Sequence, residues 1–193
     1  MTEKPTRKDA ARNRALLLDA ARELVRTEGL EVTLKDVARQ AGVGVGTVYR
    51  HFPTKDDLVS ALFADQLDEE VQRARATAQQ GDAWAALVGY LEETMHLQAT
   101  NRGLRALLCP AGSDYSSVQA CRAVVDPCLE QVVELAHRQR TLRPDITARD
   151  ITYLQVALVA IMDATADNPA AYRRHLALFL EGARLRPAAT PAS

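Results

Sequence analysis

The sequence has no apolar run near the roughly 18–20 residues that a membrane span needs. Its start, MTEKPTRKDAARNR, is charged and has no apolar signal core. Both absences lead us to expect a cytoplasmic chain with no membrane partner. Cysteine is scarce: Cys109, Cys121 and Cys128 are odd in number and form no CxxC pair. A disulfide framework or zinc site is therefore not expected. Cys121 and Cys128 stand seven residues apart, about 10 Å along one helix, too far to bridge if it is straight. Small buried hydrophobes are the better reading, with a redox role left open. There is no Gly-rich phosphate loop, no GxSxG and no HExxH, so we expect neither an enzyme nor a cofactor or metal. The adjacent carboxylates Asp56-Asp57 and Glu92-Glu93 read as solvated helix faces rather than catalytic pairs.

What is present is an ordinary globular composition, 47% hydrophobic and 25% charged over 193 residues. The net charge of −1 hides an asymmetry. Residues 1–55 carry a net +4 and residues 56–193 a net −5. A basic start on an acidic body suits a small nucleic-acid reader attached to a larger module.

No strand signal rises, and the expected fold is all-α with about nine helices. Residues 1–9 read as a disordered arm. Apolar residues at helical spacing predict a first helix from about Asp9 to Glu28, ended by Gly29. Thr33 to Asp36 reads as a capping box for a second helix. Gly42 breaks that helix, and a third covers about Val45 to His51. Thr54 caps a fourth that runs to about Gln79. Further helices follow from Trp84, from Gly103 to Cys109, from Val118 to Arg140 with a kink expected at Pro127, and from the Thr147 cap to about Ala166. Asn168-Pro169 predicts the start of a ninth. The domain boundaries read as 10–55 for a helix-turn-helix part, 56–186 for a helical regulatory part and 187–193 for a tail.

Thr33 to Lys55 is the informative stretch. Two short helices flank a glycine turn, as in a helix-turn-helix, whose second helix enters a major groove about 12 Å wide. Such a helix needs small or polar residues outward, here Val45, Gly46, Thr47 and His51, with Tyr49 and Lys55 flanking. Val48 and Phe52 would face inward.

The block GVGVGTVYRHFPTKDDL, after TLKDVARQA, closely resembles the DNA-binding domain of TetR-family transcriptional regulators over residues 10–60. The resemblance implies a homodimeric, all-α repressor. It also implies contacts to double-stranded operator DNA from Thr33, Lys35, Val45, Gly46, Thr47, Tyr49, His51 and Lys55. Thr33, Tyr49, His51 and Lys55 would touch phosphates. Gly44 departs from the family's usual cap, and Gly46 adds a second glycine to the reading helix. Backbone positioning and DNA shape are thus expected to outweigh base readout.

The same resemblance implies a helical domain that binds an unknown small-molecule effector. Trp84, Tyr90, Met95, Leu108, Tyr115 and Met162 are its candidate apolar lining, with His96, Gln98 and Asp114 as polar anchors. It further implies dimerisation through the last two helices, with Tyr153, Val156, Ala157, Ala160, Leu176, Phe179 and Leu180 at the interface. Two alternatives stay open: a DNA-binding activator without an effector, and a helical interaction protein without a DNA role.

Overall fold

The computed structural model describes residues 7–108, 114–165, 168 and 170–185. Among these there are nine α-helices and no strand, only an isolated bridge between Leu142 and Arg184. No helix among them is long and apolar enough to cross a membrane. The helices are α1 (Arg7–Glu28), α2 (Leu34–Gln40), α3 (Val45–His51), α4 (Lys55–Ala78), α5 (Ala83–Thr100), α6 (Arg102–Leu108), α7 (Ser116–Arg138), α8 (Ala148–Ala164) and α9 (Ala171–Ala183).

The chain forms two compact units that do not follow chain order. Among the described residues, one holds those up to Leu67 together with those of 102–119; the other holds Asp68–Asn101 and those from Ala120 onward. The return of α6 and the start of α7 to the first unit is invisible in a linear reading.

In the first unit, α1 packs on α2, α2 on α3, and α6 against α1 and the 3-10 turn Gly29–Glu31. Gly29 ends α1 at φ +79°, and Gly42 turns the chain between α2 and α3 at φ +67°. Both angles lie in the left-handed region that glycine enters without steric cost. Leu17, Ala21, Val37, Val48 and Phe52 form the core, each essentially buried.

In the second unit, α5 packs on α8 and α8 on α9 around Leu87, Leu91, Met95, Ile151 and Leu158. The Thr147 cap of α8 is present with its reciprocal Asp150 bond. Two sequence expectations differ. Asn168 does not cap α9, whose N-cap is Ala170 with no side-chain bond. The Asn168 backbone instead closes a turn, its N–H donating to the Thr165 carbonyl at 2.8 Å. Asp56 and Asp57 are not merely solvated. Asp57 caps α4 by accepting from the Thr54 backbone N–H and hydroxyl at 2.9 and 2.7 Å. Asp56 accepts from the Ser116 backbone N–H at 3.1 Å and hydroxyl at 2.5 Å.

Candidate nucleic-acid interface

The first unit fixes a short reading helix by three devices. Thr33 and Asp36 form a complete capping box on α2. Val48 and Phe52 anchor α3 from beneath, at 0% and 1% exposure. The Arg14 guanidinium from α1 lies over the Phe52 ring, 5.2 Å from its centroid. Burying a phenylalanine side chain contributes about 1.5–3 kcal/mol. The end of α3 is therefore well held although its start, Gly44, has no side-chain cap.

With Val48 and Phe52 inward, Val45, Gly46 and Tyr49 point outward, Val45 at 38% and Tyr49 at 47% exposure. A half-exposed tyrosine and valine on one helix face present apolar surface to water. Thr47 and His51 are half-buried, and the His51 ring tilts against Phe52 at 6.4 Å. Both sit at the flank of the outward face rather than at its centre. Lys35 on α2 is exposed, and Lys55, half-buried, occupies the first position of α4. The positive end of α4 is already met by the Thr54–Asp57 cap and carries Asp56 beside it, so what this end offers an anion is the Lys55 charge.

The Thr33 hydroxyl is already engaged: it donates to Asp36 Oδ2 at 2.5 Å and accepts from the Asp36 N–H at 3.2 Å. It holds α2 in place, and a phosphate would have to compete with that cap. Sequence reasoning missed Arg50. This exposed cation donates from Nε to the Gly46 carbonyl at 3.1 Å, one turn back on the outward face. Its i+4 spacing from Gly46 was the available signal. Arg39, exposed on α2 and paired with Asp36 at 3.1 Å, was also missed.

The second unit carries a different arrangement. Glu70 on α4 is buried at 6% exposure, the only charged side chain among the described residues that is. It accepts from the Tyr90 hydroxyl at 2.6 Å and lies 3.4 Å from the Thr94 hydroxyl. Arg73 pairs with it through a terminal nitrogen and donates from Nε to Glu93 at 3.1 Å. Burial, and then the Glu70 carboxylate, hold the Tyr90 hydroxyl well above tyrosine's ordinary range, so it remains a donor. Beside this cluster lies a cavity of about 410 Å³ with Arg73, Tyr90 and Glu93 on its wall. A second, of about 300 Å³, is lined by Glu92, His96, Tyr172, Arg173, Leu176 and Leu180. Glu92 and Glu93 are both exposed, as expected of a solvated face, and each also borders one of these cavities.

The expected pocket residues disperse. Tyr90 lines the larger cavity and His96 the smaller. Met95 and Met162 are packed in the core at 0% and 3% exposure. Trp84 is half-buried, with the Arg184 guanidinium 5.5 Å from its ring centroid. Leu108, Tyr115 and Asp114 belong to the first unit. Of the expected dimer residues, Tyr153, Ala157 and Ala160 are exposed and share one face of α8. Leu176 is buried at 4%, and Phe179 and Leu180 are half-buried, because α9 turns that stripe toward its own unit. The exposed large apolar residue on α9 is Leu178, at 56%.

Residues 17–62 match the family model described as bacterial regulatory proteins, tetR family. Residues 82–185 match that of the SbtR-like transcriptional regulator C-terminal domain. The chain is 33% identical to a TetR transcription regulatory protein from Mycobacterium vanbaalenii of known structure. That match covers 93% of this chain and 99% of the other, with a TM-score of 0.52. The transcriptional regulator FadR from Bacillus subtilis, solved in complex with stearoyl-CoA, shares the fold: TM-score 0.64, 19% identity, 87% of this chain and 98% of that one. An uncharacterized HTH-type transcriptional regulator, YfiR, from Bacillus subtilis is 29% identical over 94 residues. That stretch is 48% of this chain and spans 46% of the relative's length.

Proposed function

Because the chain belongs to the TetR family of bacterial transcriptional regulators, we propose that it is a ligand-responsive repressor. It binds a pseudo-palindromic operator as a homodimer in the cytoplasm and leaves the operator when a small effector binds. The family is one of regulators and not of enzymes.

The observation that carries this reading is the outward face of α3. Val45, Gly46 and Tyr49 are exposed while Val48 and Phe52 are clamped beneath them. This is a helix built to be approached closely on one side. Val45 supplies methyl contacts and Gly46 lets the backbone near the bases. Thr47 makes a hydrogen bond at the flank. Tyr49, His51, Lys35 and Lys55 bind phosphates and set the register. Thr33 acts through its cap.

Dimerisation through α8 and α9 sets two such helices about 34–36 Å apart, or a multiple of that, on the duplex. Effector binding in the second unit favours an arrangement that no longer matches this spacing. Reciprocity then requires DNA to weaken effector binding by the same factor. Like α7, the α4 helix contributes residues to both units, which supports it as the lever between the two sites. The FadR fold holds an acyl thioester in that protein, which supports a sensing role for the corresponding helices here.

A gel-shift titration against the chain's own upstream region tests the DNA role. Tyr49→Ala and Lys55→Ala should each weaken binding by roughly tenfold, about 1.4 kcal/mol. Lys55→Ala should also lower the salt slope by about 1. Unchanged affinity in both variants would sink the interface.

A further inference from the structure

Glu70, Arg73 and Glu93 form an unequal bridge. A buried carboxylate is costly unless it is paired and hydrogen-bonded. Glu70 is satisfied by Arg73, by the Tyr90 hydroxyl at 2.6 Å and by Thr94. This anchors Arg73 from its inner side, and the Arg73 side chain is only 16% exposed. The outer partner is different: the Glu93 side chain is 67% exposed and reaches Arg73 through Nε alone. Such a solvated pair contributes little. Arg73 is thus a fixed, desolvated cation whose outer partner is easily replaced.

The cavity opens where that replacement would happen. Its wall includes Arg73, Glu93 and Tyr90, with the amides of Gln72 and Gln80 nearby and Ala76, Ala85 and Gly89 as the apolar part. Its volume of about 410 Å³ falls within the range of small-molecule sites. Gly89 gives an independent sign. It sits inside α5, where glycine is unfavourable relative to alanine. Yet a Cβ there would meet nothing within 4 Å, so packing in the chain does not require the glycine. What its small size does is leave the cavity wide.

We infer that this cavity is a site for a small monocarboxylate, whose carboxylate displaces Glu93 and binds the Arg73 guanidinium while its apolar body lies along Ala76, Ala85 and Gly89. Carboxylates fit the planar guanidinium fork in bidentate fashion. An amine would instead have to pair with Glu93, the exposed member, close to the positive charge of Arg73. The exchange removes a link between α4 and α5, since Arg73 and Glu93 lie on those two helices. The site rests on the reading of the second unit as the sensing part.

Calorimetry of the full chain without DNA tests it separately from operator release. The probes are benzoate, hexanoate and, as a cationic control, benzylamine. At least one carboxylate should bind and the amine should not. Glu93→Gln should tighten carboxylate binding several-fold, because the competitor is gone. Arg73→Gln should weaken it at least about tenfold. Gly89→Leu fills the cavity and should abolish binding without lowering the melting temperature, which covers the case in which Arg73→Gln fails to fold around the buried Glu70. Preferential binding of benzylamine, silence with both carboxylates, or weaker binding in Glu93→Gln would overturn the assignment. If carboxylates bind but leave operator affinity unchanged, the site stands and the proposed coupling to DNA falls.

Discussion

Asp36 and Asp150 are held below the usual aspartate range, first by the hydroxyls of their cap threonines, Thr33 and Thr147, and next by those residues' backbone N–H groups. A lowered folded pKa means that the unfolded chain binds the proton more readily. The stabilisation is therefore complete at neutral pH and is lost as pH falls below about 4 and through the lowered folded values. Thermal melts between pH 7 and pH 3 should show a shallower acid loss for the double variant Asp36→Asn, Asp150→Asn than for the natural chain. Coincident slopes would remove the caps as the source. Cys121 shifts the other way: burial, then the Glu70 charge, push its thiol up to about 11. It stays protonated at neutral pH and behaves as the small buried hydrophobe that its spacing suggested. Cys109 lies outside the described residues. At this scale the sequence hid one thing of consequence, the Glu70 cluster. Tyr90 and Thr94 are 20 and 24 residues from Glu70. No local period connects them, and only the packing of α5 on α4 brings a carboxylate, a phenol and a guanidinium together.

Among elements, α3 has a composition that works against its own stability. Gly44 supplies no side-chain cap and Gly46 costs up to about 1 kcal/mol relative to alanine. A Cβ at Gly46 would meet nothing within 4 Å in the chain. Gly46→Ala should therefore raise the melting temperature of the free protein and weaken operator binding, because the added methyl stands where the duplex approaches. A variant that binds DNA as tightly as the natural chain would show that no close approach occurs at this position. The capping boxes of α2 and α8 were legible because a threonine and an aspartate three residues apart satisfy each other within one turn. The start of α9 was not legible. Asn168 has the right chemistry for a cap, but the Thr165 turn claims its backbone and the helix begins three residues later. Leu176 shows the same limit: spacing finds an apolar stripe but not which neighbour buries it.

For the whole molecule, the face proposed for a second copy carries the exposed apolar residues of the second unit, Tyr153 at 63% and Leu178 at 56%, with the small Ala157 and Ala160 also exposed on α8. Solution mass at micromolar concentration should correspond to about two chains of 21.1 kDa. The double variant Tyr153→Asp, Leu178→Asp should give one chain and lose operator affinity with it, since each half then binds alone. A variant that remains two chains would relocate the interface. The all-α class was legible throughout, because helical periods and caps are local. The grouping into compact units was not, because α6 and the start of α7 join the first unit across a long stretch of intervening chain.

The sequence has a single tryptophan, and the structure puts it at the start of α5, half-buried beneath the Arg184 guanidinium that follows α9. The chain therefore has one indole fluorophore, and it and the guanidinium over it both belong to the second unit. Its emission should respond to whether the Arg184 guanidinium stays over the ring, and Arg184 and Trp84 both lie in the second unit. Events in the two units can thus be watched through separate signals, with an intrinsic dye in one and labelled DNA reporting on the other.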